Sequence, residues 1–291
     1  MIVLREIAPL KEAVRAARLG GKRIAFVPTM GNLHAGHAAL MRAARRHAGF
    51  VVASSYVNPL QFGPCEDFAA YPRTPDDDRR LLEAQGVDLL FTPDDAVMYP
   101  RGASAQTMVE VPALGEILCG AARPGHFRGV ATVVNRLLNI VQPDVALFGK
   151  KDYQQLLVIR RMVEDLAMPV EIVGVETVRD ADGLALSSRN GYLTAAERAA
   201  APGLFRALTG AAARISAGER GVSGIEASAL AALEGAGFRP EYFCIRRQRD
   251  LQLPASGDAE LVILAAAQLR RARLIDNIEI VAVLHKGPEG S

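Results

Sequence analysis

The chain is poor in cysteine, has no long apolar run and carries no excess of one charge, and each shortage removes a class of protein. Its three cysteines, Cys65, Cys119 and Cys244, are odd in number and far apart. Neither a disulfide framework nor a paired zinc motif can be built from them, so small buried thiols are expected, with a nucleophilic role as the rival reading. Charges, glycines and prolines interrupt every apolar run before it nears the roughly 20 residues of a membrane-spanning helix. Thirty-four Lys and Arg face thirty-two Asp and Glu, a net charge of +2 with the signs interspersed, and that leaves no footprint for nucleic acid. The opening MIVLREIAPLKEAVRAAR lacks a signal-like apolar core and a cleavage site, so a cytoplasmic location is expected. There are no internal repeats.

What is present is an ordinary globular composition, 50% hydrophobic over 291 residues, enough for one large or two modest domains. Short apolar β-rich segments at 24–28, 50–57, 87–92 and 145–148 are separated by Ala/Leu/Arg stretches of helical period. That alternation predicts an α/β fold, a Rossmann-like doubly wound parallel sheet with helices on both faces. A last strand-like run, EIVGVETV, leads into the turn-rich Arg179–Gly183, where a domain boundary is expected: 1–177, then a smaller α+β domain, 178–291. In the second part a helical stretch is expected from Thr194 to about Gly218, another near 224–235, and strands at 241–246, 259–267 and 273–280. In such sheets ligands bind beyond the carboxyl ends of the strands, so motifs that follow strands carry the interest.

Four constellations do so. Phe26–His37 runs from a strand through a Gly turn into a helix expected to start near Ala38, with His34 and His37 three apart. Free N–H groups and the positive helix end suit a phosphate there; metal ligation and simple capping are the rivals. Gly149-Lys150-Lys151-Asp152 follows another strand. Its lysines suit phosphate oxygens and Asp152 a ribose hydroxyl or a helix cap, although a solvated turn reads the same. Leu186-Ser187-Ser188-Arg189-Asn190 at the boundary offers hydroxyls and a guanidinium to a polyphosphate, or merely a turn. Finally Asn58-Pro59-Leu60-Gln61-Phe62 and Gln154-Gln155 bring neutral amides suited to hydroxyls and carboxylates. The stretch Arg123–Val130 reads as a basic approach to a helix near 131–140, either a gate or an exposed loop.

The order H-x-G-H, N-P-x-Q-F, R-P-G-H-F-R-G-V, F-G-x-K-D-x-Q-Q and L-S-S-R-N resembles the pantothenate synthetase family. The resemblance spans the chain, taking in Tyr71-Pro72-Arg73-Thr74, Val141-Gln142-Pro143-Asp144 and Leu274-Ile275-Asp276-Asn277. It places the chain among α/β nucleotidyltransferases whose H-I-G-H and mobile K-M-S-K-S motifs are similar to His34–His37 and Leu186–Arg189. It implies condensation of pantoate with β-alanine through a pantoyl adenylate, with ATP as substrate, Mg2+ beside it, AMP and pyrophosphate released, and a homodimer.

The family's roles carry over position by position. His34 and His37 would contact the phosphates, His37 as a proton donor, and Lys151, Ser187, Ser188 and Arg189 would surround the triphosphate as charge moves onto pyrophosphate. Met30, Gly31, Asn32, Leu33, His34, Ala35, Gly36 and His37 would form the nucleotide edge with Gly149, Lys150, Lys151, Asp152, Val178 and Leu186. Gln61 and Gln155 would bind pantoate, Gln61 also β-alanine, with Pro28, Met30, Val133 and Val134 as apolar walls. No protein ligand for magnesium is indicated. The C-terminal domain would act as a lid. Two departures stand out: Lys150 replaces a usual Glu, and Gln268–Arg271 is more basic than the family's version. The main alternative is an adenylyltransferase acting on a phosphorylated small molecule; an RNA-binding relative of the synthetases would need a basic module the chain lacks.

Overall fold

A computed structural model describes residues 1–64, 66–255, 257–270 and 272–281; Cys65 and Arg271 lie outside them. The described chain divides into two compact units, Met1–Lys150 with Gln154–Val178, and Lys151–Tyr153 with the chain from Arg179 onward. The expected cut at 177/178 ignored the short 151–153 insertion, which no composition change marks.

The first unit runs β1 (Ile2–Leu4), α1 (Ile7–Leu19), β2 (Ile24–Thr29), α2 (Ala35–His47), β3 (Phe50–Ser55), α3 (Pro75–Ala84), β4 (Leu89–Phe91), α4 (Asp95–Met98), α5 (Cys119–Ala122), α6 (His126–Val141), β5 (Val145–Gly149), α7 (Tyr153–Asp165, all but its first residue, which falls in the second unit) and β6 (Glu171–Val175). All six strands are parallel, in the order β1-β4-β3-β2-β5-β6. The central strands read as unbroken apolar runs because both faces are covered. Ala25, Val27, Val51 and Ala53 pack with Met41 and Ala44 of α2; Ile24, Phe26 and Val52 alternate with them, are equally buried, and face the other way, where α1 and α6 reach β2. The strand order reverses between β2 and β5, the crevice where such sheets bind ligands. H-x-G-H follows β2 and the lysine turn follows β5.

Two helix starts differ from expectation. Helix α2 begins at Ala35, not Ala38, because His34 supplies its cap. Helix α6 begins at His126, not near 131, behind a left-handed Gly125 (φ 81°), so most of Arg123–Val130 is a helix's first turns rather than a loop.

The second unit contains α8 (Ala195–Ala200), α9 (Gly203–Ser216), α10 (Val222–Gly235) and the antiparallel sheet β7 (Arg239–Arg247), β8 (Glu260–Leu269), β9 (Ala272–Val281) in that order. The single helix expected over 194–218 is broken at Ala201–Pro202, where proline has no N–H to continue the ladder. Leu204, Leu208, Ile215, Ile225 and Leu233 pack on Phe243, Ile245, Leu261 and Ile263 of the sheet. Cys119, in the first unit, and Cys244, in the second, are buried thiols. No described helix is long and apolar enough to cross a membrane.

Candidate active site

In the first unit the turn after β2 is held from below. Gly31 (φ 81°) and Asn32 (φ 50°) are left-handed, so successive N–H groups converge. Their guest is the protein's own Asp78, a buried carboxylate of α3 that accepts from Asn32 N (2.9 Å), Leu33 N (2.7 Å) and Thr74 Oγ1 (3.1 Å). A Cβ at Gly31 would stand 2.8 Å from Ser55 Oγ and 2.9 Å from Asp78 Oδ2, so glycine is required twice over, by φ and by space.

The start of α2 is also occupied. His34 Nδ1 accepts from Gly36 N (3.1 Å) and His37 Nδ1 accepts from His34 N (3.2 Å), a reciprocal cap in which both polar partners are histidines. The backbone amides of His34 and Gly36, at the turn that the sequence reading offered to a phosphate, are therefore engaged. With Nδ1 accepting an N–H, a neutral imidazole carries its proton on Nε2. The ring centroids lie 4.2 Å apart.

Gln61 sits on a one-turn helix, Pro59–Gln61, and is buried. Its orientation follows from backbone groups. Leu60 N donates to Asn58 Oδ1 (3.3 Å) and Asn58 Nδ2 donates to Gly129 O (3.1 Å), which fixes the Asn58 amide. Asn58 Nδ2 then donates to Gln61 Oε1 (3.1 Å), leaving the Gln61 amino group toward Met30 Sδ (3.0 Å). Tyr99 donates to Asn58 Oδ1 (2.7 Å); burial pushes its phenol well above the usual range, so it stays a donor. Burial and a hydrogen bond to Asp95 likewise push Tyr56 up.

From the other side Arg123 and His126 hold the Gln61 carbonyl. His126 Nδ1 lies 2.8 Å and Arg123 Nη2 3.3 Å from it, while Arg123 Nη1 is 3.0 Å from His126 Nε2. A guanidinium cannot accept, so His126 carries its proton on Nδ1 and donates to Gln61. Glu66 completes the set, accepting from Arg123 Nε at 2.7 Å. Burial raises its carboxyl, but Arg123 outweighs this and holds it below the usual carboxylate range. Arg123–Val130 thus braces the Gln61 turn.

The two glutamines that open α7 differ. Gln154 is buried, accepting from Cys119 N (3.1 Å) and donating to Leu114 O and Ile117 O (2.8 Å each). Half-buried Gln155 makes no side-chain hydrogen bond among the described residues. Val133 and Val134 are buried on α6, with Pro28 and Met30 half-buried. Lys150 pairs with Glu176 (2.6 Å). Nothing lies within 4 Å of where a side chain would begin at Gly149. Val178 is half-buried at the end of this unit.

In the second unit, Ser187 accepts from Arg189 N (3.2 Å) and caps the short turn Ser188–Tyr192. Ser187, Asn190 and Lys151 line one cavity with Arg273 and Asp276. Leu186, Ser188, Arg189 and Asp152 are half-buried. Sequence reasoning missed Asp78, Tyr99 and the bracing roles of Asn58, Arg123 and His126. Asn58 and the 123–126 pair lay inside quoted motifs, whereas Asp78 acts across 45 residues without a local signal.

Comparison with known proteins places the chain in a family. The family model for pantoate-beta-alanine ligase matches residues 2–279. A pantothenate synthetase of Shewanella amazonensis is 59% identical over 272 residues, covering 94% of this chain and 96% of that protein. One from Pseudomonas aeruginosa is 58% identical over 281 residues, covering 96% and 99%. Among solved structures, a pantothenate synthetase from Thermus thermophilus superposes with TM-score 0.91 at 48% identity, covering 97% of this chain and all of that one. A Francisella tularensis pantoate-beta-alanine ligase complexed with beta-gamma ATP and beta-alanine gives 0.78 at 30% identity, covering 99% and 100%. With its family model matched from residue 2 to 279 and relatives 58–59% identical over nearly their whole length, the chain belongs to the pantoate-beta-alanine ligase family.

Proposed function

We propose that the chain joins pantoate to β-alanine in two steps that need no enzyme nucleophile. A pantoate carboxylate oxygen attacks the α-phosphorus of ATP, the bond to pyrophosphate breaks, and pantoyl adenylate forms. The β-alanine amine then attacks the acyl carbon, AMP leaves with the electron pair of the acyl–oxygen bond, and the amine loses its proton. The observation that carries the residue roles is the reciprocal histidine cap after β2. It sets neutral His34 and His37 as Nε2–H tautomers, a donor type suited to phosphate oxygens whose charge grows as pyrophosphate departs.

Gln61, its amino group on Met30 Sδ, and Gln155, with no side-chain partner among the described residues, are assigned to pantoate, Gln61 also to β-alanine. Pro28, Met30, Val133 and Val134 form the apolar wall. The open approach at Gly149 suits the nucleotide, with Asp152 and Val178 near ribose and adenine. The second unit supplies Lys151, Ser187, Ser188 and Arg189 as a lid on the triphosphate, closing when nucleotide is bound. Among the described residues no group of three or more His, Cys, Asp or Glu could hold a metal ion. Magnesium would come with the ATP, and no step is drawn through it. A homodimer and a cytoplasmic location complete the reading.

The test is AMP release from ATP, magnesium and pantoate with and without β-alanine, beside pantoate-dependent exchange of labelled pyrophosphate into ATP. Exchange with pantoate alone and stoichiometric AMP only with both acids are expected. Exchange that ignores pantoate but follows a phosphorylated acceptor would return the adenylyltransferase reading, which the family match does not favour.

A further inference from the structure

Leu274-Ile275-Asp276-Asn277 is a family-like motif to which the reaction assigns no task, and its place in the second unit suggests one. Asp276 and Asn277 sit mid-strand in β9, both buried, where paired apolar residues would serve folding as well. The Asp276 carboxylate takes both arms of Arg179 (2.6 and 2.9 Å) and the N–H of Asn277 (2.8 Å). Arg179 also donates to Asn277 O (3.3 Å) and Gly183 O (3.1 Å), and stacks 3.9 Å from the Phe205 ring centroid. Asn277 Nδ2 donates to the main-chain oxygen of Lys151 (2.9 Å). Two residues beyond, the Tyr153 hydroxyl lies 3.1 Å from Glu279 Oε1 and 3.3 Å from Gln248 O. The second unit's two separate stretches, 151–153 and the chain from Arg179, are thus fastened to the same pair of β9 residues.

We propose that Asp276 and Asn277 are positioning residues for Lys151, tying its backbone to the C-terminal unit so that its ammonium is presented together with the Ser187–Arg189 segment rather than with the Rossmann-like unit. The proposal rests on the assignment of Lys151 to the ATP phosphates. Lys151 and Ser187 already line one cavity of this unit, and Asn277 is the side chain that holds Lys151 there. Lys150, one residue earlier, is paired instead with Glu176 of the other unit.

The experiment compares wild type, Asn277→Ala, Asn277→Asp, Lys151→Ala and the Lys151→Ala/Asn277→Ala double variant in full-length protein. It measures pantoate-dependent pyrophosphate exchange, aminolysis of preformed pantoyl adenylate, and melting temperature. A misplaced phosphate ligand slows the first half-reaction by about 10- to 100-fold; both Asn277 variants should do so, since aspartate cannot donate to Lys151 O. Aminolysis should change much less, and the double variant should be no slower than Lys151→Ala alone, which simple loss of structure would not reproduce. Should the Asn277 variants fail to fold, Tyr153→Phe, one oxygen smaller, carries the test and should slow exchange severalfold. A normal Asn277→Ala beside a slow Lys151→Ala, or additive losses in the double variant, would overturn the proposal alone. A fully active Lys151→Ala would bring down the phosphate assignment and the proposal with it.

Discussion

Replacing Gly129 by alanine should disable the pantoate side of the site, against the usual sign of that change. In a helix interior Gly→Ala ordinarily stabilises by about 1 kcal/mol. At Gly129 of α6 the new Cβ would stand 2.1 Å from Leu60 O, 2.4 Å from Leu60 C and 2.7 Å from Gln61 N. All three are backbone atoms, so no side chain can swing aside, and α6 must part from the Pro59–Gln61 turn by about 1 Å to restore ordinary contact. Overpacking of this kind costs about 1–3 kcal/mol. The shift also stretches the Asn58 bond to Gly129 O, now 3.1 Å, worth about 1 kcal/mol. The net expectation is a loss of about 1–3 kcal/mol, each of which lowers the melting temperature by about 2–4 °C. Gln61 moves with its turn, so kcat/KM for pantoate should fall about 100-fold while ATP affinity is largely kept. Gly210, on α9 with nothing within 4 Å of its would-be Cβ, is the control: Gly210→Ala should raise the melting temperature. A Gly129→Ala protein as stable as wild type with an unchanged pantoate KM would refute the reasoning.

The histidine cap separates into two functions. His34→Asn keeps an acceptor for Gly36 N and should melt within about 1 kcal/mol of wild type while losing pyrophosphate exchange, whereas His34→Ala should lose stability as well, by about 1 kcal/mol; normal exchange in His34→Asn would remove the Nε2 donor from the mechanism. Asp78→Asn replaces a carboxylate that accepts three hydrogen bonds, two of them from backbone amides, by a group with a single acceptor oxygen. It should cost about 2–3 kcal/mol and raise the ATP KM by loosening the turn before His34, and a wild-type melting curve would count against it. Glu66 has its folded-state pKa below the ordinary value, so its contribution is present above the unfolded pKa of about 4.3 and disappears as pH falls through the folded one. Glu66→Gln should therefore be less stable than wild type at pH 7, with the gap closing in acid; a gap that widens below about pH 4 contradicts the Arg123 pairing.

Much of the first unit was legible because its strands are covered on both faces and so read as compact apolar runs, as at 24–29 and 145–149. Strand β1, three residues at the sheet edge with Ile2 and Val3 exposed, has no such signature and was not foreseen. The helix over 194–218 was legible as helical material, but its break at Pro202 was overlooked although proline announces it. The early start of α6 was not readable, since two glycines in R-P-G-H-F-R-G-V argue locally for a loop. Gly129 is there because the neighbouring backbone comes so close.

The sequence by itself determined the chemistry available and its order along the chain: which polar groups follow which strands, and hence an expected site beyond the carboxyl ends of those strands, since local patterning fixes where strands end and turns begin. Tertiary structure decided which of those groups are committed. Of two adjacent glutamines it spends Gln154 on three backbone partners and leaves Gln155 without one among the described residues. Of two adjacent lysines it pairs Lys150 with Glu176 and ties Lys151 to Asn277, 126 residues away. It fills the Gly31–Leu33 turn with a carboxylate from α3 where an external anion was expected. The reason is common to all three: a buried donor or acceptor must find a partner wherever the fold supplies one, and a partner distant in sequence leaves no local pattern to read.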